Sequence, residues 1–285
     1  MAQSPSFGVQ LPQQHRTWTQ ILDEWKRAED LGFDTAWNWD HFVPLSGDTN
    51  GLSMEAWTLL AGIAAQTSRI RLGTLVTSTT YRNPAVLAKQ VVTVDHISNG
   101  RLILGIGAGW HQQEHQHYGI VFPSAKERVD RFEESIAILD ALMREDHPTF
   151  KGAYYTLNKA PFSPSVVQKP RVPILVGSSG TRMLRSVARY GDAWHTFGPP
   201  EKIAERGALL GRYCQEIGRS PAEIRWSVTL SGDALRSPDR FKQAVASYAK
   251  IGASEFLLEG GDWDALQRIA EGAIPEIRSS WKPLA

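Results

Sequence analysis

Asp40 and His41 stand side by side in Asn38-Trp39-Asp40-His41-Phe42, directly after a strand-like apolar run. An imidazole titrates near neutrality and can hold or pass a proton to a reacting group. The carboxylate beside it could fix the ring tautomer, contact a cofactor or cap a turn, and His41 could equally be a satisfied structural histidine. A second group lies in Gly73-Thr74-Leu75-Val76-Thr77-Ser78-Thr79-Thr80-Tyr81-Arg82-Asn83-Pro84. Its hydroxyls could hydrogen-bond a heteroaromatic ring or serve as helix caps. A third is Gly105-Ile106-Gly107-Ala108-Gly109-Trp110-His111-Gln112-Gln113-Glu114. Glycines there permit close backbone approach of a flat ligand, and Trp110 could cover it. This G-x-G-x-G closes a fourth strand and lacks the third-glycine spacing of a dinucleotide fingerprint, so that reading is rejected. A fourth group, Gly177-Ser178-Ser179-Gly180-Thr181, places turn amides at a helix start, where a phosphate could bind with help from Arg182 or Arg185. A plain strand-to-helix turn is the other reading.

Other chemistries find little support. GVQLPQQHR offers no His-x-His pair for a metal-dependent hydrolase. A retaining glycosidase needs two carboxylates about 5 Å apart. Glu114 could be one, but Thr229-Leu230-Ser231 supplies no second. The single cysteine, Cys214, forbids an internal disulfide and a cysteine metal cluster, and its helical setting reads as packing. A net charge of +1 leaves no nucleic-acid footprint or polybasic membrane surface. Neither a signal peptide nor a run of about 18 apolar residues is visible. A cytoplasmic protein acting on a small molecule is the expectation, with no metal.

These groups need elements to hold them. Strand patterns fall at 6–11, 33–39, 70–77, 101–106, 172–176, 193–196, 224–229 and 255–258. Helical patterns fall at 18–31, 53–66, 84–97, 126–143, 181–190, 201–217, 238–251 and 262–277. Gly32 should stop the first helix, Ser53 cap the second and Pro84 open the third. The stretch 145–173 is irregular. Strict alternation without a linker across 285 residues predicts one (β/α)8 TIM-barrel domain spanning 1–285, with a doubly wound open sheet as the other reading. In such a barrel, chemistry sits in the loops leaving the strands.

LGFDTAWNWDHF, LGTLVTSTTYRNPAVLAKQVVTVDHISNGRLILGIGAGW, EHQHYGI and VGSSGTRMLRSVARYGDAW together resemble, in order, the luciferase-like monooxygenase superfamily. The Trp39-Asp40-His41-Phe42 form resembles its branch that uses the deazaflavin coenzyme F-420. The resemblance implies a barrel with an insertion region and a cofactor ring lying over the end of strand three, with a non-prolyl cis peptide at Leu75-Val76. Asp40 and Thr77 would contact that ring, Gly109 and Gln113 would border the cofactor, and Gly177, Ser178, Ser179, Gly180 and Thr181 would hold its phosphate. His41 would face the reacting centre, and Glu114 matches a glutamate common in the family. The sugar-phosphate dehydrogenase of this branch carries an acidic group where Trp110 stands here, which argues against a sugar phosphate. Trp37, Trp39, Trp110 and Trp194 point instead to an apolar, aromatic-lined pocket. FMN, with O2 chemistry, is the alternative cofactor, and a non-catalytic flavin binder is a third reading. Homodimers are common in the superfamily.

Overall fold

The computed structural model describes residues 4–281. The first half runs β1 (Ser6–Gln10), α1 (Trp18–Asp30), β2 (Thr35–Asn38), α2 (Ala56–Gln66), β3 (Arg71–Thr74), α3 (Pro84–Ile97), β4 (Leu102–Gly107), α4 (Gln112–His117) and α5 (Ala125–Arg144). The second runs β5 (Ile174–Gly177), α6 (Met183–Tyr190), β6 (Ala193–Thr196), α7 (Pro200–Glu216), β7 (Arg225–Leu230), α8 (Pro238–Ala249), β8 (Ala253–Glu259), α9 (Trp263–Arg268) and α10 (Ile274–Ser280). Successive strands pair in parallel, and β8 returns to β1 with Ser6 opposite Glu255 and Gln10 opposite Glu259. The sheet is therefore a closed (β/α)8 barrel, which leaves no strand edge unpaired.

Local chemistry sets the boundaries. Thr17 and Gln20 form a capping box at α1, and Gly32 follows its C-cap at φ +76°, a value that glycine adopts without a Cβ penalty. Pro84 opens α3 behind the Asn83 cap. The second helix corrects the sequence expectation. It starts at Ala56, with Glu55 accepting the Thr58 amide at 2.7 Å, while the Ser53 hydroxyl donates to the His41 carbonyl at 3.3 Å. Strand three is also shorter than expected. It breaks at the cis Leu75-Val76 peptide, after which Thr77–Ser78 rejoins β4.

Strand residues alternate between two cores. Phe7, Val9, Trp194, Phe256 and Leu258 belong to the large core under the helices, whereas Trp37, Ile103, Leu175 and Leu257 fill the barrel. Trp37 requires Gly73, because a Cβ there would come 2.6 Å from its ring. Residues 145–173 contain a small hairpin, Phe150–Lys151 with Thr156–Leu157, held to α5 by Glu134, which accepts the amides of Ala153, Tyr154 and Tyr155. No helix among the described residues is long and apolar enough to cross a membrane.

Candidate active site

The loops leaving β2, β3 and β4 meet around the carboxylate of Glu114. That side chain is fully buried on α4. Its Oε2 lies 2.7 Å from His41 Nδ1 and accepts the Tyr81 hydroxyl at 2.6 Å. Its Oε1 accepts the amides of Phe42 and, at 3.1 Å, Val43. Burial alone would raise this carboxyl, but the bonds from His41, Tyr81 and Val43 outweigh it and hold the group at about 2. A carboxylate can only accept, so Nδ1 of His41 is the donor and Nε2 is left without a protein partner among the described residues. Tyr81 moves the other way: burial and its bond to Glu114 push its phenol above the ordinary range.

Aromatic rings flank the pair. Trp110 lies 5.6 Å from His41 and 4.8 Å from His111, edge-on to both, and remains 63% exposed. His111 caps α4, its Nδ1 accepting the Glu114 amide at 3.3 Å. That nitrogen therefore carries no proton, and its 3.6 Å approach to the Glu114 carboxylate is not an ion pair. Burial and the nearby His41, His115 and His117 lower the His111 pKa against the pull of Glu114. Buried His115 links the two loops. Its Nδ1 donates to the His111 carbonyl at 2.8 Å, so its Nε2 accepts from Thr80 at 2.7 Å, and Thr80 accepts from Ser78 at 2.7 Å.

The remaining candidates fall into three groups. Asp40 is buried and already engaged, taking Arg82 at 2.6 and 2.8 Å and the Ser78 amide at 2.8 Å. Val76, with Leu75 before it, sits half-buried between Gly107 and Gly177, where a Cβ would come 2.8 and 2.9 Å from its methyls. Gly109, at φ +79°, lies so close to Ser78 that a Cβ would meet its hydroxyl at 2.5 Å. Trp39 is half-buried, and Gln113 is exposed on the first turn of α4. Across the barrel, Ser178 is buried while Ser179, Gly180 and Thr181 are exposed ahead of α6. Ser178 donates its amide to the His195 carbonyl at 3.0 Å, and no backbone bond engages the amides of Ser179, Gly180 or Thr181 among the described residues.

Several expectations need correction. Thr77 is fully buried, and its hydroxyl accepts the Trp57 indole at 3.2 Å beneath α2, so its side chain does not line the mouth. Trp194 is fully buried too, edge-on to Trp226 at 5.3 Å in the outer core, and Trp37 plugs the barrel, so neither lines a pocket. Arg182 turns to Asp130 and Glu133, and Arg185 to Glu216 and Tyr213, away from a role in the turn.

Tyr81, Arg82 and His111 stand within the sequence motifs, but their residue types and spacing alone assign them no role. Nor do they mark His195. This ring points into the barrel beside the β5 turn, with Nδ1 3.0 Å from Ser227 Oγ and Nε2 3.3 Å from Thr229 Oγ1. Thr229 in turn accepts from Gln10 at 2.7 Å. Burial holds His195 at about 4, so it is neutral at physiological pH. The alternation Ala193, Trp194, His195 was the available signal for which ring faces inward.

Residues 4–272 match the family model for luciferase-like monooxygenases. An F-420-dependent glucose-6-phosphate dehydrogenase of Kineococcus radiotolerans is 37% identical over 178 residues, covering 61% of this chain and 51% of that one. The chain thus spans about half the length of such curated relatives. Among solved structures, an F-420-dependent secondary alcohol dehydrogenase with an F-420–acetone adduct superposes with a TM-score of 0.86 at 21% identity, covering 96% of this chain and 99% of that one. A monooxygenase of Streptomyces bottropensis gives 0.79 at 20%, covering 95% and 99%. At those identities the two structures speak to the fold alone. The match to the family model over most of the chain identifies it: the protein belongs to the luciferase-like monooxygenase family.

Proposed function

We propose that the chain is an oxidoreductase that binds coenzyme F-420 across the C-terminal mouth of the barrel and acts on a small, apolar organic substrate. The observation that carries this reading is the His41–Glu114 pair, a proton-handling ring oriented by a buried carboxylate at the strand ends. A planar ring system fits the floor beside it. Gly107 and Gly177 bring no side chain to either side of Val76, and a Cβ at either would collide with it. The exposed turn of Ser179, Gly180 and Thr181, whose amides take no backbone bond among the described residues, lies ahead of α6 and suits a phosphate.

When bound, a deazaflavin supplies two-electron hydride chemistry. The chain supplies the rest. Glu114 fixes the His41 tautomer, which leaves Nε2 to accept a proton from, or return it to, the reacting substrate oxygen. Trp110 and Trp39 offer apolar surface for the substrate. The relationship to named F-420-dependent dehydrogenases supports the cofactor, and Trp110 supports a substrate without phosphate.

The same glycine floor and phosphate turn would admit FMN, and monooxygenases share the fold. Fluorescence-quenching titration with F-420, FMN and NADPH separates the readings. The proposal expects saturable binding of F-420 that weakens in Gly180→Asp; tight FMN binding with none of F-420 would transfer the chain to the oxygen-using branch.

A further inference from the structure

Three consecutive side chains between β1 and α1 grip the loop that carries His41. Gln13 is 2% exposed, and its Oε1 accepts the Trp39 amide at 3.2 Å. Its Nε2 donates to the carbonyls of Trp39 at 2.6 Å and Met54 at 3.0 Å. One buried amide therefore joins the start of the β2–α2 loop to its end. Gln14 accepts the Leu45 amide at 2.7 Å and donates to the Ser46 hydroxyl at 3.2 Å. His15, at φ +59°, donates its own amide to the Leu52 carbonyl at 2.7 Å. Its Nε2 lies 2.7 Å from the Ser46 carbonyl, and its ring lies against Gly47 and Gly51, where a Cβ would come as near as 3.1 and 2.4 Å.

The backbone around His41 is tied residue by residue. Arg82 and the Ser78 amide hold Asp40, and Glu114 holds the amides of Phe42 and Val43. Both backbone polar groups of Trp39 fall to Gln13. Removing a buried amide from such a site leaves several backbone groups unsatisfied, and the segment must shift to find water. A shift of a fraction of an ångström at Trp39 moves the imidazole two residues on.

We propose that Gln13 is a positioning residue for His41, and that Gln14 and His15 hold the loop 45–52 as a fixed wall of the mouth. The inference rests on the proton-transfer reading of His41, but its test reads the ring itself. Two-dimensional nitrogen–proton NMR of the histidine side chains, in the free protein, reports the tautomer without cofactor or substrate.

In the wild type the His41 signal is expected as a single tautomer with the proton on Nδ1. Gln13→Met, similar in length, should give mixed tautomers in a protein that keeps its amide dispersion, and should weaken F-420 binding about tenfold. Gln13→Glu keeps the acceptor and loses the donors, so its His41 signal should fall between the two. His15→Ala should leave the His41 signal in place while proteases cut the loop 45–52 faster. A folded Gln13→Met or Gln13→Glu protein with the wild-type His41 signal overturns the positioning role. An unchanged cutting rate in His15→Ala overturns the wall. Failure of the wild type to bind F-420 would remove the proposed cofactor and leave these readouts standing.

Discussion

His41 Nδ1 and Glu114 Oε2 lie 2.7 Å apart at the meeting point of two barrel loops, with the carboxylate buried and the imidazole still reachable from the mouth. The carboxylate is shared among His41, Tyr81 and the amides of Phe42 and Val43, so it orders the loop as well as the ring. Replacing it with an amide should disturb both. Glu114→Gln is expected to cost His41 its fixed tautomer and to lower turnover by roughly two orders of magnitude, in line with loss of an orienting carboxylate. Tautomer by NMR, and steady-state rates once a substrate is found, check this.

The same residue makes the fold acid-sensitive. Its folded pKa of about 2 lies below the ordinary 4.5. A depressed carboxyl stabilises the fold above its unfolded pKa, and that contribution disappears as pH falls from about 4.5 towards 2. The loss is on the order of 3 kcal/mol. Urea midpoints of Glu114→Gln should therefore fall less steeply than those of the wild type across that window, from a lower starting stability.

His195 acts at a higher pH. Burial depresses it from 6.5 to about 4, so the unfolded chain takes up a proton before the folded one does. Stability should drop by about 3 kcal/mol as pH falls from 6.5 to 4. His195→Gln removes that proton uptake, and its melting temperature should stay flatter over the same interval. Parallel curves for wild type and variant would contradict the assignment.

Trp110 separates binding from stability. With 63% of its surface exposed it contributes little packing, so Trp110→Ala should change stability by no more than about 0.5 kcal/mol. Binding at the mouth should weaken all the same. Calorimetric melting beside a cofactor titration reads the two effects independently.

Gly109 has the opposite balance. At φ +79° with Ser78 and Thr80 against it, Gly109→Ala must either strain the backbone or push the hydroxyls aside. Destabilisation of about 1–3 kcal/mol is expected, and His115 should lose its tie to Thr80. A shifted His115 signal in the NMR spectrum would show it.

Much of this arrangement could be read from residue order. The helix 84–97 and the strand 193–196 fall where Pro84 and the apolar runs put them, because local chemistry decides those ends. What escaped were facts of facing and of long-range contact. Trp194 and His195 differ by one position, and that single step sends one ring under the helices and the other into the barrel. Thr77 follows the break at Leu75-Val76, where simple alternation no longer indicates the face. Glu55 rather than Ser53 caps α2 because Ser53 is drawn to the His41 carbonyl. Gln13 gave no signal at all, since its partners lie 26 and 41 residues away.

The most direct measurement is an equilibrium titration of the purified protein with F-420 and, separately, with FMN. Saturable F-420 quenching at micromolar concentrations, weakened in Gly180→Asp and in Trp110→Ala, is the predicted result. A protein that leaves F-420 fluorescence untouched while retaining FMN, or that binds neither, would contradict the proposed cofactor.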